Sequence, residues 1–208
     1  MLFRALFACY FRWRVWHPEH VPTTGGLILA CNHASYLDPP LVAAALPRPV
    51  SFLARKSLFR FPLLGWLLRR VYVVPLDRDG GSAAGLRTVL EQVQRGRAVI
   101  LFPEGTRTHD GHLQAARSGI GLMVVRSGAP VVPVRVFGTY EAYGRHRRLP
   151  RPRPVAVRYG LPLRFDRQCA EAHTASKERL KAIYQEIADE ILAAIARLEP
   201  ADGPQAGG

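Results

Sequence analysis

The sequence predicts an α/β protein with one mostly parallel or mixed central sheet flanked by helices. Short apolar or β-branched runs alternate with segments of helical character, and 48% of the 208 residues are hydrophobic. Such alternation is typical of a sheet with helices packed on its faces. A chain of this length supports one substantial core rather than two. We therefore expect a single domain at 17–198, preceded by an N-terminal helix at 1–16 and followed by a flexible tail at 199–208.

Six apolar runs are the predicted strands, and five segments are the predicted helices. The strands are expected at 27–31, 50–54, 71–75, 98–102, 131–137 and 155–159, and the helices at 39–46, 57–69, 82–95, 118–127 and 176–198. Pro39 suits the first turn of a helix, and Gly96 and Gly128 follow two expected helix ends. The last helix repeats Leu or Ile at three- and four-residue steps, which predicts one packed face.

The N-terminal segment is apolar, but arginines interrupt it before it reaches the roughly 20 residues that span a bilayer. One face of the predicted helix carries Leu2, Leu6, Tyr10 and Trp13. This pattern predicts an amphipathic helix that lies in a membrane interface. A terminal helix docked on the core is the alternative.

The charge balance predicts an anionic partner, because 29 Lys and Arg face 16 Asp and Glu, for a net charge of +13. The arginines are scattered, and no helix-turn-helix, RNP or zinc pattern accompanies them, so we expect no nucleic-acid partner. Cys9, Cys31 and Cys169 are widely spaced, which argues against a zinc site or a disulfide framework. A reducing, cytosolic setting fits this spacing.

The stretch N-H-A-S-Y-L-D at 32–38 is the first candidate site. His33 follows a buried strand, at the sheet edge where open α/β sheets form their ligand crevices. Asp38 precedes a proline and is expected to be non-helical, able to accept a hydrogen bond from the ring of His33 or to cap the next helix. The spacing alone leaves both roles open.

Two further polar loops follow predicted strands. In F-P-E-G-T-R at 102–107, Gly105 lets the backbone approach a ligand, and Arg107 is suited to bidentate binding of an oxyanion. The loop after V-Y-V-V-P contributes Arg78, which adds positive charge.

These motifs, taken in order and ending with V-V-P-V at 131–134, resemble those of glycerolipid acyltransferases, and the chain is similar to bacterial 1-acylglycerol-3-phosphate acyltransferases. The resemblance runs from about Glu19 to Gly138 and includes R-S-G at 117–119. It departs from the family pattern at Ala116 and Ser118 and in the P-L-D-R of the second motif.

The resemblance implies transfer of a fatty acyl group from a thioester to the free hydroxyl of 1-acylglycerol-3-phosphate, which makes phosphatidic acid. His33 and Asp38 are the implied catalytic residues. The implied substrate-binding residues are Lys56, Arg78, Glu104, Gly105, Thr106 and Arg107. We expect no metal and no cofactor, with acyl-CoA or acyl carrier protein as the co-substrate. Another lyso-lipid acceptor, such as lyso-ornithine lipid, is the alternative; a non-catalytic lipid carrier would leave His33 and Asp38 without a role.

The resemblance also implies a peripheral or monotopic protein at the cytoplasmic face of the cell membrane, with an anionic membrane surface as partner. The arginine-rich segment 143–154 is a candidate site for anionic headgroups or acyl carrier protein, or is a solvated loop. The apolar segment 57–70 is a candidate acyl-chain tunnel or lipid contact, or a core helix. We expect His109 and His112 to lie in a polar loop, and find no group that supports a role for His17, His20, His146 or His173.

Overall fold

A seven-stranded mixed sheet forms the centre of the computed structural model, which describes residues 2–60, 65–66, 73–76 and 81–200. The strands are β1 (Arg14–Trp16), β2 (Leu27–Cys31), β3 (Val50–Arg55), β4 (Val73–Leu76), β5 (Ala98–Leu101), β6 (Val131–Phe137) and β7 (Ala156–Tyr159). Their order is β1-β7-β6-β2-β5-β3-β4. Among these pairs β6 and β7 run antiparallel, and the others run parallel.

Helices cover both faces of the sheet. They are α1 (Leu2–Phe11), α2 (Asp38–Ala45), α3 (Gly81–Gln94), α4 (Gly119–Ser127), α5 (Thr139–Tyr143), α6 (Asp166–Ala172) and α7 (Lys177–Ala196), with 3₁₀ turns at Pro18–His20 and Lys56–Arg60. Side chains of the central strand β2 alternate between two cores. Leu27 and Leu29 pack with residues of α1 and α2, whereas Ile28 packs with residues of α4 and α7. A central strand buried on both faces explains its continuous apolar run.

The predicted fold class is confirmed, and each of the six predicted strands has a counterpart in the sheet. Three short elements, β1, α5 and α6, were not predicted. The predicted helix at 57–69 begins as the 3₁₀ turn Lys56–Arg60, and most of its remaining residues lie outside the described part of the chain.

The N-terminal helix is shorter than predicted. It ends at Phe11, because Arg12 adopts a left-handed backbone (φ 47°) and Arg14 begins a strand beside β7. Phe7 and Phe11 are buried in the core that includes α2 residues, so this face of the helix packs on the rest of the protein. Tyr10 remains on the surface. The boundary at residue 16 is therefore wrong, and the interfacial role stays a prediction. No helix among the described residues is long and apolar enough to cross a membrane.

One edge of the sheet collects most of the polar loops. Strands β2 to β6 all run parallel, so their carboxyl ends meet at this edge, which we call the His33 edge because residue 33 follows β2 there. Strand β7 opposes β6, and β1 is parallel to β7, so both begin at the same edge. The topology thus brings the end of α1 and the segment before β7 to the side of the molecule that carries His33.

Candidate active site

His33 and Asp38 form a hydrogen-bonded pair at this edge. Nδ1 of His33 lies 2.9 Å from Oδ2 of Asp38; the His33 side chain is 18% exposed and that of Asp38 is fully buried. The same oxygen accepts hydrogen bonds from the backbone N–H groups of Ala34 and Ser35, each over 2.7 Å. An ionised carboxylate only accepts, so Nδ1 donates to Oδ2, and in the neutral imidazole the lone pair is then on Nε2. The hydrogen bond between the His33 ring and the Asp38 carboxylate, one of the two roles that the sequence left open for Asp38, is therefore present.

The interpretation of Asp38 as only a helix cap is wrong. Helix α2 has no capping hydrogen bond from its N-cap residue Leu37, and Oδ2 of Asp38 bonds N–H groups that precede it in the chain. Oδ1 is buried and has no hydrogen-bond partner in the described part of the protein. The carboxylate therefore folds the 33–38 loop around itself and holds the imidazole.

Two polar side chains fix this loop to neighbouring elements. The amide of Asn32 accepts from the N–H of Val136 (2.8 Å) and donates to its carbonyl (3.3 Å). The hydroxyl of Ser35 donates to the carbonyl of Tyr143 (2.7 Å) and accepts from the N–H of Leu37 (3.0 Å). The loop is thus bound to β6 and α5, which fixes the ring's position before a substrate arrives.

Phe102 supports the imidazole from its face. The two rings are stacked, with centroids 3.8 Å apart and planes 16° from parallel. Asp38 holds the edge of the ring, so contacts in two directions restrict its rotation. No role was predicted for Phe102, although it is the first residue of the F-P-E-G-T-R motif.

The F-P-E-G-T-R loop also holds the backbone of His33. Oε1 of Glu104 accepts from the N–H of His33 (2.9 Å), and Oε2 accepts from the N–H of Gln114 (3.2 Å). The N–H of Thr108 donates to the carbonyl of His33 (2.8 Å). Burial raises the pKa of the Glu104 carboxyl, and its backbone hydrogen bonds act in the opposite direction. Both oxygens of Glu104 thus bind backbone in the protein interior and help to position His33, whereas contact between Glu104 and a substrate stays a prediction.

Arg107 lies against Tyr36. Its guanidinium carbon is 3.6 Å from the centre of the Tyr36 ring, and the ring is itself 58% exposed. Nη1 of Arg107 is buried and has no hydrogen-bond partner among the residues that the structure describes. Stacking on the ring orients a guanidinium without using its N–H groups. Donors of Arg107 are thus available to an anion.

Further arginines surround the same loop. Gly105 has a left-handed backbone (φ +71°), and a Cβ there would lie 3.0 Å from Cδ of Arg117. The hydroxyl of Thr106 accepts a hydrogen bond from Arg145, whose guanidinium also contacts the ring of His109 over 3.3 Å. Arg145 lies beyond the motifs, and only the general arginine-rich character of 143–154 pointed to it.

The remaining predicted site residues lie in different surroundings, and one of them is outside the described part of the chain. Lys56 follows β3 at the His33 edge, and its side chain is exposed. Arg78 lies outside the described residues. Val132 and Pro133, in the V-V-P-V motif, are buried within β6.

His17, Glu19 and His20 form a cluster that the sequence analysis did not foresee. Their possible ligand atoms lie within 4.8 Å of one another, and the two imidazoles are stacked. Nδ1 of His20 also lies 3.1 Å from the carbonyl of Tyr159. The cluster follows the far ends of β1 and β7, away from the His33 edge, so it does not contribute to the pair described above.

An open pocket of about 380 Å³ adjoins the loop that carries His33. It is lined by Asn32, Ala34, 111–113 and 135–141. The hydroxyl of Thr139 is buried there and has no hydrogen-bond partner in the described chain. The pocket leaves space for part of a ligand beside the carboxyl ends of β2 and β6.

The family described as "Acyltransferase" matches residues 12–137, more than half of the chain. The chain belongs to this family. The resemblance read from the motifs is therefore confirmed, and the protein is an acyltransferase. The matched range contains the described site residues 32–38 and 102–117, whereas Arg145 lies outside it.

Individual relatives of this acyltransferase carry more specific names. A 1-acyl-sn-glycerol-3-phosphate acyltransferase of Bacillus subtilis is 28% identical over 173 residues, covering 83% of this chain and 82% of the relative. The crystal structure of a 1-acyl-sn-glycerophosphate acyltransferase from Thermotoga maritima gives a TM-score of 0.71 at 26% identity, covering 95% of this chain and 78% of the other. A lyso-ornithine lipid O-acyltransferase of Pseudomonas aeruginosa is 31% identical over 111 residues, covering 53% of this chain and 42% of the relative.

Proposed function

We propose that this acyltransferase moves a fatty acyl group from a thioester to the free hydroxyl of 1-acylglycerol-3-phosphate and so makes phosphatidic acid. The observation that carries the proposal is the His33–Asp38 pair, 2.9 Å apart, on the same loop as Tyr36, which orients Arg107. The names of the Bacillus subtilis and Thermotoga maritima relatives support this acceptor.

The chemistry needs one general base, and the acceptor itself is the nucleophile. Nε2 of His33 takes the hydroxyl proton as the oxygen attacks the thioester carbonyl, and the carboxylate of Asp38 stabilises the imidazolium that forms. The tetrahedral intermediate then collapses, the C–S bond breaks, and the imidazolium returns the proton to the departing thiolate. No acyl-enzyme is required, since the new C–O bond belongs to the product ester.

The acceptor phosphate is expected to lie against the arginines of the F-P-E-G-T-R loop. Arg107 offers a planar fork that Tyr36 already orients, and Arg145 meets Thr106 next to it. Charge-assisted bidentate hydrogen bonds to phosphate are stronger than neutral ones. Lys56 and Arg78 are proposed to add positive charge to the same region.

The acyl donor and the location of the enzyme complete the proposal. The donor is acyl-CoA or acyl carrier protein thioester, and neither a metal nor a cofactor takes part. The enzyme works as a peripheral or monotopic protein at the cytoplasmic face of the cell membrane, because both its acceptor and its product are membrane lipids. Lyso-ornithine lipid is the second candidate acceptor, which the Pseudomonas aeruginosa relative favours.

An acceptor panel tests the proposal. Purified protein is incubated with a labelled acyl donor, as CoA or carrier-protein thioester, and with lysophosphatidate, lyso-ornithine lipid or monoacylglycerol. We expect labelled phosphatidic acid as the main product, formed at least about a hundredfold more slowly by the His33→Ala variant. Preferential labelling of ornithine lipid would replace the acceptor but keep the mechanism. Acyl transfer by the variant at the wild-type rate would overturn the mechanism.

A further inference from the structure

A strongly basic surface segment follows α5. We call residues 144–154 the arginine loop; its arginines are Arg145, Arg147, Arg148, Arg151 and Arg153. The sequence has no acidic residue between Glu141 and Asp166. Arg148, Arg151 and Arg153 are exposed, so their charges face solvent without an acidic neighbour in the surrounding sequence. This surface is suited to an extended anionic partner.

An apolar side chain lies in the middle of these charges. Leu149 follows Arg148 and is 77% exposed, the highest value among the large hydrophobic side chains that the structure describes. Exposure of the Leu149 side chain to water is unfavourable, because apolar surface is more stable when it is removed from water. The leucine and the arginines around it together suit a partner that has anionic groups above an apolar layer. A lipid bilayer with anionic headgroups has both properties.

The arginine loop is joined to α1. The hydroxyl of Tyr10 donates to the carbonyl of Pro150 over 3.3 Å, and Tyr10 is 41% exposed. The N–H of Val155 donates to the carbonyl of Phe11 over 3.1 Å. Because Pro150 directly follows Leu149, this contact places the exposed Tyr10 next to Leu149 on the same surface.

This surface also lies beside the candidate active site. Arg145 binds Thr106 of the F-P-E-G-T-R loop, and Ser35 of the His33 loop binds the carbonyl of Tyr143, the last residue of α5. Both β1 and β7 begin at the His33 edge, directly after α1 and the arginine loop. A bilayer in contact with this surface would therefore lie next to the pair that acts on the acceptor.

We infer that Tyr10, Leu149 and the exposed arginines of the arginine loop form the docking surface for an anionic phospholipid bilayer. Leu149 and Tyr10 enter the headgroup layer, and Arg148, Arg151 and Arg153 bind lipid phosphates. The inference rests on the proposed function, because that function places the acceptor in a bilayer. Each arginine close to an anionic membrane surface raises affinity by about fivefold.

Vesicle binding tests this surface, and the control variants lie at the edge of the sheet opposite the His33 edge. The test variants are Leu149→Ser and the double variant Arg148→Glu with Arg151→Glu. The controls are Leu161→Ser, whose side chain is 67% exposed, and Arg164→Glu with Arg167→Glu; these residues flank Leu163, which pairs with Val131 at the start of β6. Each control makes the same type of substitution away from the His33 edge; Arg164 also pairs with Asp166 over 3.8 Å, and an exposed ion pair of this kind contributes little to stability.

Binding is measured by cosedimentation with vesicles of phosphatidylglycerol and phosphatidylcholine in equal parts, and with phosphatidylcholine alone. We expect the double arginine variant to lose more than about tenfold in affinity for the anionic vesicles, with a weaker salt dependence. Leu149→Ser should weaken binding severalfold, also at high salt. Both controls should bind like wild type. Equal binding by test and control variants would overturn the inference.

Acyl transfer measured without vesicles separates this inference from the proposed function. With short-chain, monomeric substrates the vesicle-binding variants should turn over like wild type. If wild type has no lysophosphatidate activity but the variants still lose vesicle binding, the docking surface holds and the proposed acceptor fails. If vesicle binding is unchanged and only the KM for acyl carrier protein thioester rises, the surface binds an acidic protein, and the bilayer inference is wrong.

Discussion

Glu104 and His33 are joined through the backbone: Oε1 of the buried carboxylate accepts the N–H of His33 over 2.9 Å. The second oxygen of Glu104 accepts the N–H of Gln114, so one side chain connects the histidine to the far end of the F-P-E-G-T-R loop. The N–H of Thr108 completes the arrangement by donating to the carbonyl of His33. Glu104 thus helps to position His33, whereas Nη1 of Arg107, three residues later, has no hydrogen-bond partner among the described residues.

Glu104→Gln is expected to change how stability depends on pH. Burial raises the pKa of the Glu104 carboxyl, so the folded protein keeps this proton at a pH where the unfolded chain has released it. This contribution to the free energy of unfolding is complete below the ordinary glutamate pKa and is lost as pH rises through the folded value. The variant lacks this titration, so wild type should lose stability relative to it as the pH rises from about 4 to 7.

Denaturant unfolding of both proteins across this pH range measures the difference. At every pH the variant also places an amide N–H against a backbone N–H, which costs about 1–3 kcal/mol. A stability difference that does not vary with pH would show that the Glu104 carboxyl titrates in the fold as it does in the unfolded chain.

His33→Ala should lower turnover by about two to four orders of magnitude, because it removes the general base. Asp38→Asn should also impair catalysis: its amide oxygen can still accept from Nδ1 of His33, but a neutral amide does not stabilise the imidazolium. Its NH2 group would also replace Oδ1, which is buried and has no partner among the described residues. Steady-state acyl transfer by the two variants and by their combination is the measurement. The combined loss should barely exceed that of His33→Ala, because the two residues act as a unit. Losses that multiply fully would assign Asp38 a separate, structural role.

The fold could be predicted wherever burial is continuous. Strands β2 and β6 were predicted at their observed bounds, because a central strand with both faces covered is apolar over most of its length; Arg135 is the exception in β6. Strand β1 was missed for the opposite reason: it has three residues, lies at the sheet edge, and begins with the exposed Arg14. Helix α1 ends where Arg12 adopts a left-handed backbone. Residues other than glycine rarely adopt this conformation, so the sequence does not predict the helix end.

The candidate site could be predicted only where its contacts are local. His33 and Asp38 are five residues apart, so one loop brings them together and the spacing indicated a pair. The bond between Glu104 and His33 spans 71 residues, and that between Arg145 and Thr106 spans 39. Such contacts depend on which strands are neighbours in the sheet, which the order of strands along the chain does not specify.

Arg107→Ala should weaken transition-state binding of the phosphorylated acceptor by about 2–4 kcal/mol, and Arg107→Lys by less, since lysine keeps the charge but loses the planar fork. The ratio of kcat/KM for lysophosphatidate to that for monoacylglycerol is the measurement. Wild type should prefer lysophosphatidate, and the preference should collapse in Arg107→Ala. Equal rates of wild type on both acceptors would show that Arg107 does not bind the phosphate.

Tyr36 provides a second test of the same contact. Its ring stacks on the Arg107 guanidinium at 3.6 Å, so Tyr36→Ala should reduce the preference for lysophosphatidate by releasing the arginine. Tyr36→Phe keeps the ring and is the matched control, which should retain the preference. If both variants behave like wild type, the orientation of Arg107 does not depend on this ring.

Asn32→Asp should destabilise the protein most at neutral pH. The Asn32 amide both accepts from and donates to the backbone of Val136, and the residue is buried. A carboxylate still accepts the N–H but faces the carbonyl without a proton to donate, which we expect to cost about 2–4 kcal/mol in free energy of unfolding. Protonation of the carboxyl restores a donor, so part of this stability loss should be recovered as the pH falls.

Asn32→Ala is the control, because it loses both bonds and cannot titrate. Denaturant unfolding should therefore show the two variants converging, or Asn32→Asp becoming the more stable, at acidic pH; a constant difference between them would mean that the carbonyl of Val136 does not need the Asn32 donor.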